Sequence, residues 1–128
     1  MENKRQPRRI INLSEKKVIK IVAKILGVRK VECQKTFDWL RGDTGMRLRV
    51  DAYFPAEKLV FEYHGVQHFK ENKLMDRRKG RAEQRKKYTQ LRQKLIPAHG
   101  LKLLEIRYDE PFTREYIKGR LIQLGYKV

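Results

Sequence analysis

Two carboxylates, Asp51 and Glu62, fall on neighbouring predicted strands of this 128-residue sequence. Residues 47–54 alternate polar and apolar side chains, and an apolar run resumes at Leu59 after a turn over residues 55–58, which together predict an antiparallel hairpin. Counting back across that turn sets Asp51 directly opposite Glu62, with their Cβ atoms about 4.5–5.5 Å apart. Opposed carboxylates repel each other, and a divalent cation such as Mg²⁺, which prefers carboxylate oxygens, relieves that repulsion.

Glu62 is the less expected of the two acids, because it follows Leu-Val-Phe in a strand typical of a sheet centre. A buried carboxylate costs several kcal/mol unless it is paired or bound to a metal. The sequence leaves two partners open for it: a divalent cation shared with Asp51, or a salt bridge to Arg47 or Arg49. Glu15, at the start of the first predicted helix, either joins the two acids as a metal ligand or only complements the helix dipole.

Histidines follow the second carboxylate within a few residues. Strand side chains repeat every two residues, so we expect His64 to share a face with Glu62 and to lie opposite Arg49. His68 follows closely, and imidazole groups exchange protons near neutral pH. His64 and His68 are therefore candidate catalytic residues, although a lone histidine more often has a structural role. We expect such a structural role for His99, which lies in a predicted loop.

The charge of the chain is strongly one-sided, with 32 Lys and Arg against 15 Asp and Glu and a formal net charge of +17. Residues 77–94 hold nine basic side chains against the single acid Glu83. Such a run is either a solvated helix face or, because it repels itself, a surface for a phosphate backbone. The predicted DNA-contacting residues are Arg47, Arg49, Gln67, Lys70, Arg77, Arg78, Arg81, Arg85 and Lys86.

Composition excludes several classes of protein. The length fits one domain, predicted over residues 10–128 and preceded by a flexible basic arm over residues 1–9. A single cysteine, Cys33, excludes an internal disulfide and a multi-cysteine zinc site. No apolar run approaches the roughly 18 residues of a membrane span, and the arm does not resemble a secretory signal. We therefore expect an intracellular protein of a bacterium or phage-infected cell, with no membrane partner and no organic cofactor.

The predicted elements that position these residues alternate between helices and strands. Caps, apolar periodicity and breakers predict three helices and four strands. Their fold class is α/β, a mixed central sheet flanked by helices in the order αβββαβα. The predicted ranges are a helix over 14–26, a short strand over 31–37, strands over 47–54 and from 59 to Gly65, a basic helix over 74–95 ended by Pro97 and Gly100, a strand over 101–106 and a helix over 113–124.

The hairpin resembles the PD-(D/E)xK nuclease superfamily, in particular the branch of very-short-patch repair endonucleases and phage homing-endonuclease catalytic domains. The resemblance is carried by Arg49-Val50-Asp51, by Pro55, by the run from Glu62 to His68, by the basic helix and by the strand over 100–108. Glu15 matches an acid that this branch often has on its first helix, and His64 stands where most members have a lysine.

This resemblance implies a restriction-endonuclease-like fold and Mg²⁺-dependent hydrolysis of DNA phosphodiesters, with Mn²⁺ able to substitute. It implies that Asp51, Glu62 and Glu15 hold the metal, that His64 acts as general base or orients water, and that His68 serves the leaving oxygen or the scissile phosphate. One alternative is a structure-selective Holliday-junction resolvase that works as a homodimer. A second alternative is a nucleic-acid-binding module without catalytic activity.

Overall fold

The computed structural model describes residues 13–65 and 80–128. Within these ranges the chain forms helices on both sides of one mixed sheet, and the α/β class predicted from the sequence is confirmed. The restriction-endonuclease-like fold stays a prediction. The elements are α1 (Leu13–Leu26), β1 (Glu32–Arg41), β2 (Arg47–Phe54), a 3₁₀ turn (Pro55–Glu57), β3 (Leu59–His64), α2 (Arg81–Ala98), β4 (Lys102–Arg107) and α3 (Arg114–Gln123).

The four strands lie in the order β1-β2-β3-β4. The pairs β1–β2 and β2–β3 are antiparallel, whereas β3 and β4 are parallel. The turn at Pro55–Glu57 sets Phe54 opposite Leu59, the register that the turn length predicts. The parallel pair needs a crossover, which the chain between residues 65 and 102 provides and which contains α2.

Each face of the sheet is covered by a separate apolar cluster. On the first face, α1 and α3 pack on buried residues of β2, β3 and β4. On the second face, α2 contributes Tyr88 and Ile96, which pack against Leu40, Leu48, Val50 and Val60. We call these the α1/α3 face and the α2 face. The two helical layers bury the sheet from both sides, so that side chains on its strands have fixed positions.

Helix α2 differs from its predicted range. It ends at Ala98 rather than at residue 95, and Pro97 lies inside its last turn instead of ending it. The side chain of Ile96 is fully buried on the α2 face, and His99 donates its backbone N–H to the carbonyls of Leu95 and Ile96, so the last turn is held despite the proline. The predicted start at residue 74 lies outside the described residues, and β1 extends to Arg41, past its predicted end.

The loop between β1 and β2 fixes α2 against the sheet. The backbone N–H of Asp43 donates to the Tyr88 hydroxyl at 3.2 Å, and Lys87 Nζ lies 2.9 Å from Asp43 Oδ1. A Cβ atom at Gly42 would lie 2.8 Å from the Tyr88 ring and hydroxyl, so any larger residue there would have to displace Tyr88. None of the helices in the described ranges is long and apolar enough to cross a membrane.

Candidate active site

Asp51 and Glu62 anchor each other across β2 and β3. Backbone pairing between β2 and β3 runs from Phe54 opposite Leu59 to Ala52 opposite Phe61. At the next position the two strands are joined by hydrogen bonds between side chains and backbone amides. The Asp51 N–H donates to Glu62 Oε2 at 2.8 Å, and the Tyr63 N–H donates to Asp51 Oδ2 at 2.7 Å. Both carboxylates are buried, with 6% and 7% of their surface exposed. The structure therefore brings the two predicted acids together.

A local irregularity of the sheet makes room for this exchange. Val50 and Ala52 would share one face of a regular strand, yet Val50 packs on the α2 face and Ala52 on the α1/α3 face. Opposite this point in β1, between the pairs Cys33–Ala52 and Lys35–Val50, Gln34 adopts a left-handed backbone with φ of 55°. The strands are thus distorted where Asp51 lies, which is typical of sheets that re-aim a functional side chain.

Burial raises the pKa of the Glu62 carboxyl to about 8, and the charges of Asp51 and Glu105 add to the rise. Arg92 of α2 opposes it, with Nε 3.8 Å from Glu62 Oε1. The same guanidinium donates two hydrogen bonds to the Arg49 carbonyl, at 3.2 and 2.8 Å, which hold it over the strand. One arginine does not offset the burial, so the fold favours the protonated form of the Glu62 carboxyl.

His64 is bonded to a carboxylate of the neighbouring parallel strand. Its Nε2 lies 2.8 Å from Glu105 Oε2, and Gln93 Nε2 of α2 donates to both Glu105 oxygens at 3.3 and 3.0 Å. Burial alone would raise the pKa of Glu105, but the hydrogen bonds from His64 and Gln93 and the charges of His64 and Arg120 outweigh it and lower that pKa. Glu105 is therefore an ionised acceptor beside a buried histidine.

The two predicted arginine partners of the carboxylate pair lie elsewhere. Arg47 Nε is 3.3 Å from Asp38 Oδ1, and the Arg49 side chain is exposed. Arg49 contributes its carbonyl, which accepts from Arg92. The salt-bridge alternative was thus wrong in its choice of residue: the guanidinium that reaches Glu62 is Arg92.

Glu15 is buried at the start of α1, with 1% of its surface exposed. The pKa of the Cys33 thiol is raised by burial and then by the charges of Glu15 and Asp51, so both acids lie near this cysteine. Within residues 13–65 and 80–128, however, no group of three or more His, Cys, Asp or Glu residues is placed to hold a metal ion. A three-acid site that includes Glu15 stays a prediction.

Several predicted site residues lie outside the described ranges: His68, Gln67, Lys70, Arg77 and Arg78. The remaining basic residues of the prediction begin α2, where Arg81 and Lys86 are exposed and Arg85 is half-buried. His99 stacks on Trp39 with ring centroids 3.9 Å apart, and its Nδ1 lies 2.8 Å from the Leu95 carbonyl oxygen, contacts that suit the structural role expected for it.

Sequence reasoning missed Glu105, Arg92 and Gln93. A signal for Glu105 was present, because it interrupts the apolar run Leu-Leu-Glu-Ile as Glu62 interrupts its own strand. Arg92 and Gln93 had no comparable signal, since α2 is basic and polar along most of its length.

Comparison with known proteins adds no relative: no family model, no curated protein and no solved structure matches this chain. Chemically, the cluster combines two features at one end of the sheet. A pair of buried carboxylates offers oxygen ligands for a hard cation, and a histidine bonded to a carboxylate offers a group for proton transfer.

Proposed function

We propose that this protein is a Mg²⁺-dependent endonuclease that hydrolyses DNA phosphodiester bonds, with Mn²⁺ able to replace Mg²⁺. The observation that carries the proposal is the buried Asp51–Glu62 pair in a chain of net charge +17. Apolar residues in these positions would usually serve stability at least as well as buried ionisable ones. Retaining two acids there, each fixed by an amide of the opposite strand, supports a role in binding a cation.

A carboxylate pair is a suitable protein contribution to a magnesium site. Mg²⁺ keeps several waters and is usually bound through one or two carboxylates together with oxygens of the substrate phosphate. Asp51 and Glu62 would hold the ion, and Glu15 is the third acid assigned to it in this proposal. The ion, when bound, would supply charge stabilisation at the phosphate and lower the pKa of an attacking water. Glu62 must release its proton to act as a ligand, so metal binding should strengthen as the pH rises.

His64 is the residue we assign to proton transfer. As the water oxygen forms its bond to phosphorus, the water gives a proton to the imidazole, and the bond from phosphorus to the leaving oxygen breaks. The leaving oxygen then takes a proton from His68 or from solvent. This assignment rests on the position of His64 two residues after Glu62, on the same face of β3, and on its bond to Glu105.

The basic surface provides the affinity for DNA in this proposal. Arg81, Arg85 and Lys86 of α2, with the exposed side chain of Arg49, would contact phosphates, and the predicted contacts of residues 67–78 would extend this surface. Such contacts position the duplex without reading its sequence. Affinity should therefore fall steeply with salt concentration, by a slope set by the number of phosphates neutralised.

The decisive experiment is cleavage of supercoiled plasmid across a titration of Mg²⁺ and Mn²⁺, with Asp51→Asn beside the native protein. We expect Asp51→Asn to lower cleavage by about a thousandfold or more, since the metal site supplies several kcal/mol of charge stabilisation, while DNA binding is kept. Asp109→Asn is the matched control, because it makes the same charge change at an exposed acid paired with Arg107.

Equal cleavage by Asp51→Asn would contradict the metal assignment. Tight binding with no cleavage under either metal would instead favour the nucleic-acid-binding module. A substrate panel of linear duplex, single strand, mismatch, flap and four-way junction separates the remaining possibilities, because strong preference for the junction by a dimeric protein would favour the resolvase.

A further inference from the structure

Glu105 is hydrogen-bonded to His64, the proposed proton-transfer residue. Its Oε2 atom lies 2.8 Å from His64 Nε2, and it belongs to β4, whereas Asp51 and Glu62 belong to β2 and β3. The side chain of His64 is 8% exposed and that of Glu105 is 26% exposed, so the bond between them is largely shielded from water.

The chemistry of this contact specifies which ring nitrogen carries hydrogen. Gln93 Nε2 donates to both oxygens of Glu105, as expected for an ionised carboxylate, which only accepts hydrogen bonds. Nε2 must therefore carry the hydrogen and donate it to Glu105. In neutral His64 the lone pair then lies on Nδ1, which is the nitrogen able to take a proton.

Glu105 is itself held in place by its side chain and by its backbone. Gln93 Nε2 donates to both of its oxygens, and Arg120 Nη2 donates to the backbone carbonyl of Glu105 at 3.0 Å. Because the Arg120 contact is made to the backbone, it remains when the Glu105 side chain is replaced. A substitution of that side chain thus removes the contact to His64 without releasing β4 from α3.

We propose that Glu105 is a positioning residue, which orients the His64 ring through Nε2, directs Nδ1 to the attacking water and stabilises the imidazolium that forms when the ring takes the proton. This proposal rests on the nuclease function proposed above. It assigns to β4 a part in catalysis that the hairpin motif does not include. The competing interpretation is a hydrogen bond that serves stability alone.

The contact can be tested without any measurement of activity. In the native protein, the His64 Nε2 proton should give a downfield, slowly exchanging resonance in proton NMR, identified among three histidines by its loss in His64→Gln. Glu105→Ala should abolish this resonance, and Glu105→Gln should shift it upfield, because the neutral amide oxygen accepts more weakly. Asp109→Asn, with the same change of charge as Glu105→Gln, should leave it in place.

Plasmid cleavage then tests whether the contact serves the reaction. Loss of a group that orients a functional histidine typically costs about 10–100-fold, so we expect Glu105→Ala to lower kcat by that factor with KM within about twofold of the native value. In a His64→Gln background, Glu105→Ala should produce no additional loss, because it acts through His64. Glu105→Gln should retain more activity than Glu105→Ala.

The two proposals fail in different ways. If the native protein cleaves DNA and Glu105→Ala cleaves equally well, or if the two substitutions reduce kcat independently, the positioning role is overturned and the nuclease function stands. If no metal supports cleavage by the native protein, the nuclease function fails and the positioning role falls with it, whatever the NMR resonance shows. A single cooperative unfolding transition, with a melting temperature well above the assay temperature, would confirm that the variants remain folded.

Discussion

Glu62 and Glu105 are register partners on the parallel strands β3 and β4, yet their surroundings shift their pKa values in opposite directions. The pKa of Glu62 rises to about 8, first through burial and then through the charge of Asp51. The pKa of Glu105 falls, because hydrogen bonds from His64 and Gln93 outweigh its burial. Two identical side chains in one layer of the sheet thus favour opposite protonation states.

The difference lies in what faces each carboxylate. Glu62 is buried, and the charge that acts on it most strongly is that of another acid, Asp51. Among the described residues, the cationic group in contact with it is Arg92, at 3.8 Å. Glu105 is partly open to solvent and receives hydrogen bonds from two side chains. Pairs of titratable groups whose environments separate their pKa values are typical of acid–base sites. Here Glu62 would be stabilised by a bound cation, whereas Glu105 already accepts hydrogen bonds from His64 and Gln93.

The largest expected effect is on stability at alkaline pH. A raised pKa means that the fold favours protonated Glu62, so its contribution to stability is full below the unfolded pKa near 4.5 and is lost as the pH rises through about 8. Glu62→Gln stays neutral and keeps an oxygen for the Asp51 N–H. Without metal at pH 8, we expect it to raise the free energy of unfolding by about 2–4 kcal/mol, at about 1.4 kcal/mol per pKa unit.

Urea denaturation in EDTA at pH 5 and pH 8 measures this gain. The control is Glu83→Gln, which makes the same charge change at an exposed position of α2. Added Mg²⁺ should stabilise the native protein and not Glu62→Gln, since the amide is a poor ligand for this ion. If the native protein and Glu62→Gln lost stability in parallel between pH 5 and pH 8, the raised pKa of Glu62, and with it the contrast with Glu105, would be contradicted.

Replacement of Glu105 should change the free energy of unfolding in the opposite direction to replacement of Glu62. The lowered pKa of Glu105 means that its stabilisation is present above the unfolded pKa of about 4.5 and is lost as the pH falls further. Glu105→Gln should therefore lower the free energy of unfolding at pH 7 by about 1–3 kcal/mol, the usual range for hydrogen bonds to charged groups. The same denaturation series, extended to pH 4, should show the gap to native protein narrowing. A stabilising Glu105→Gln would remove the contrast with Glu62.

The main neighbour of Glu62, Asp51, could be predicted from the sequence. A turn over residues 55–58 fixes the register of the hairpin that follows it, so the approach of Asp51 to Glu62 follows from counting residues. The alternation of residues 47–54 and the helical spacing of residues 18–26 likewise predicted β2 and α1 closely, because each pattern spans a single element.

The contacts of Glu105 and Arg92 could not be predicted, because no local sequence pattern specifies them. His64 and Glu105 are 41 residues apart, and a parallel register is set by how the crossover packs rather than by turn length. Arg92 could not be distinguished from its basic neighbours, because only docking of α2 on the sheet selects it. For the same reason the salt-bridge alternative named Arg47 or Arg49, which are close to Asp51 in sequence, and not Arg92, which only the packing of α2 brings to Glu62.

The smallest expected effect comes from Gln93, and it addresses the comparison most directly. Gln93→Ala removes two hydrogen bonds that lower the pKa of Glu105 and touches neither Glu62 nor Asp51. The Glu105 pKa should rise toward its ordinary value, with a loss of about 0.5–1.5 kcal/mol in stability, as for a typical hydrogen bond. Carboxyl ¹³C NMR titration measures both glutamates at once, with Gln90→Ala, at an exposed position of the same helix, as control. The charge of Glu105 is the smallest of the causes that shift the Glu62 pKa, so the Glu62 titration should move much less than that of Glu105. Equal movement of both curves would mean that the two carboxyls titrate as one coupled group.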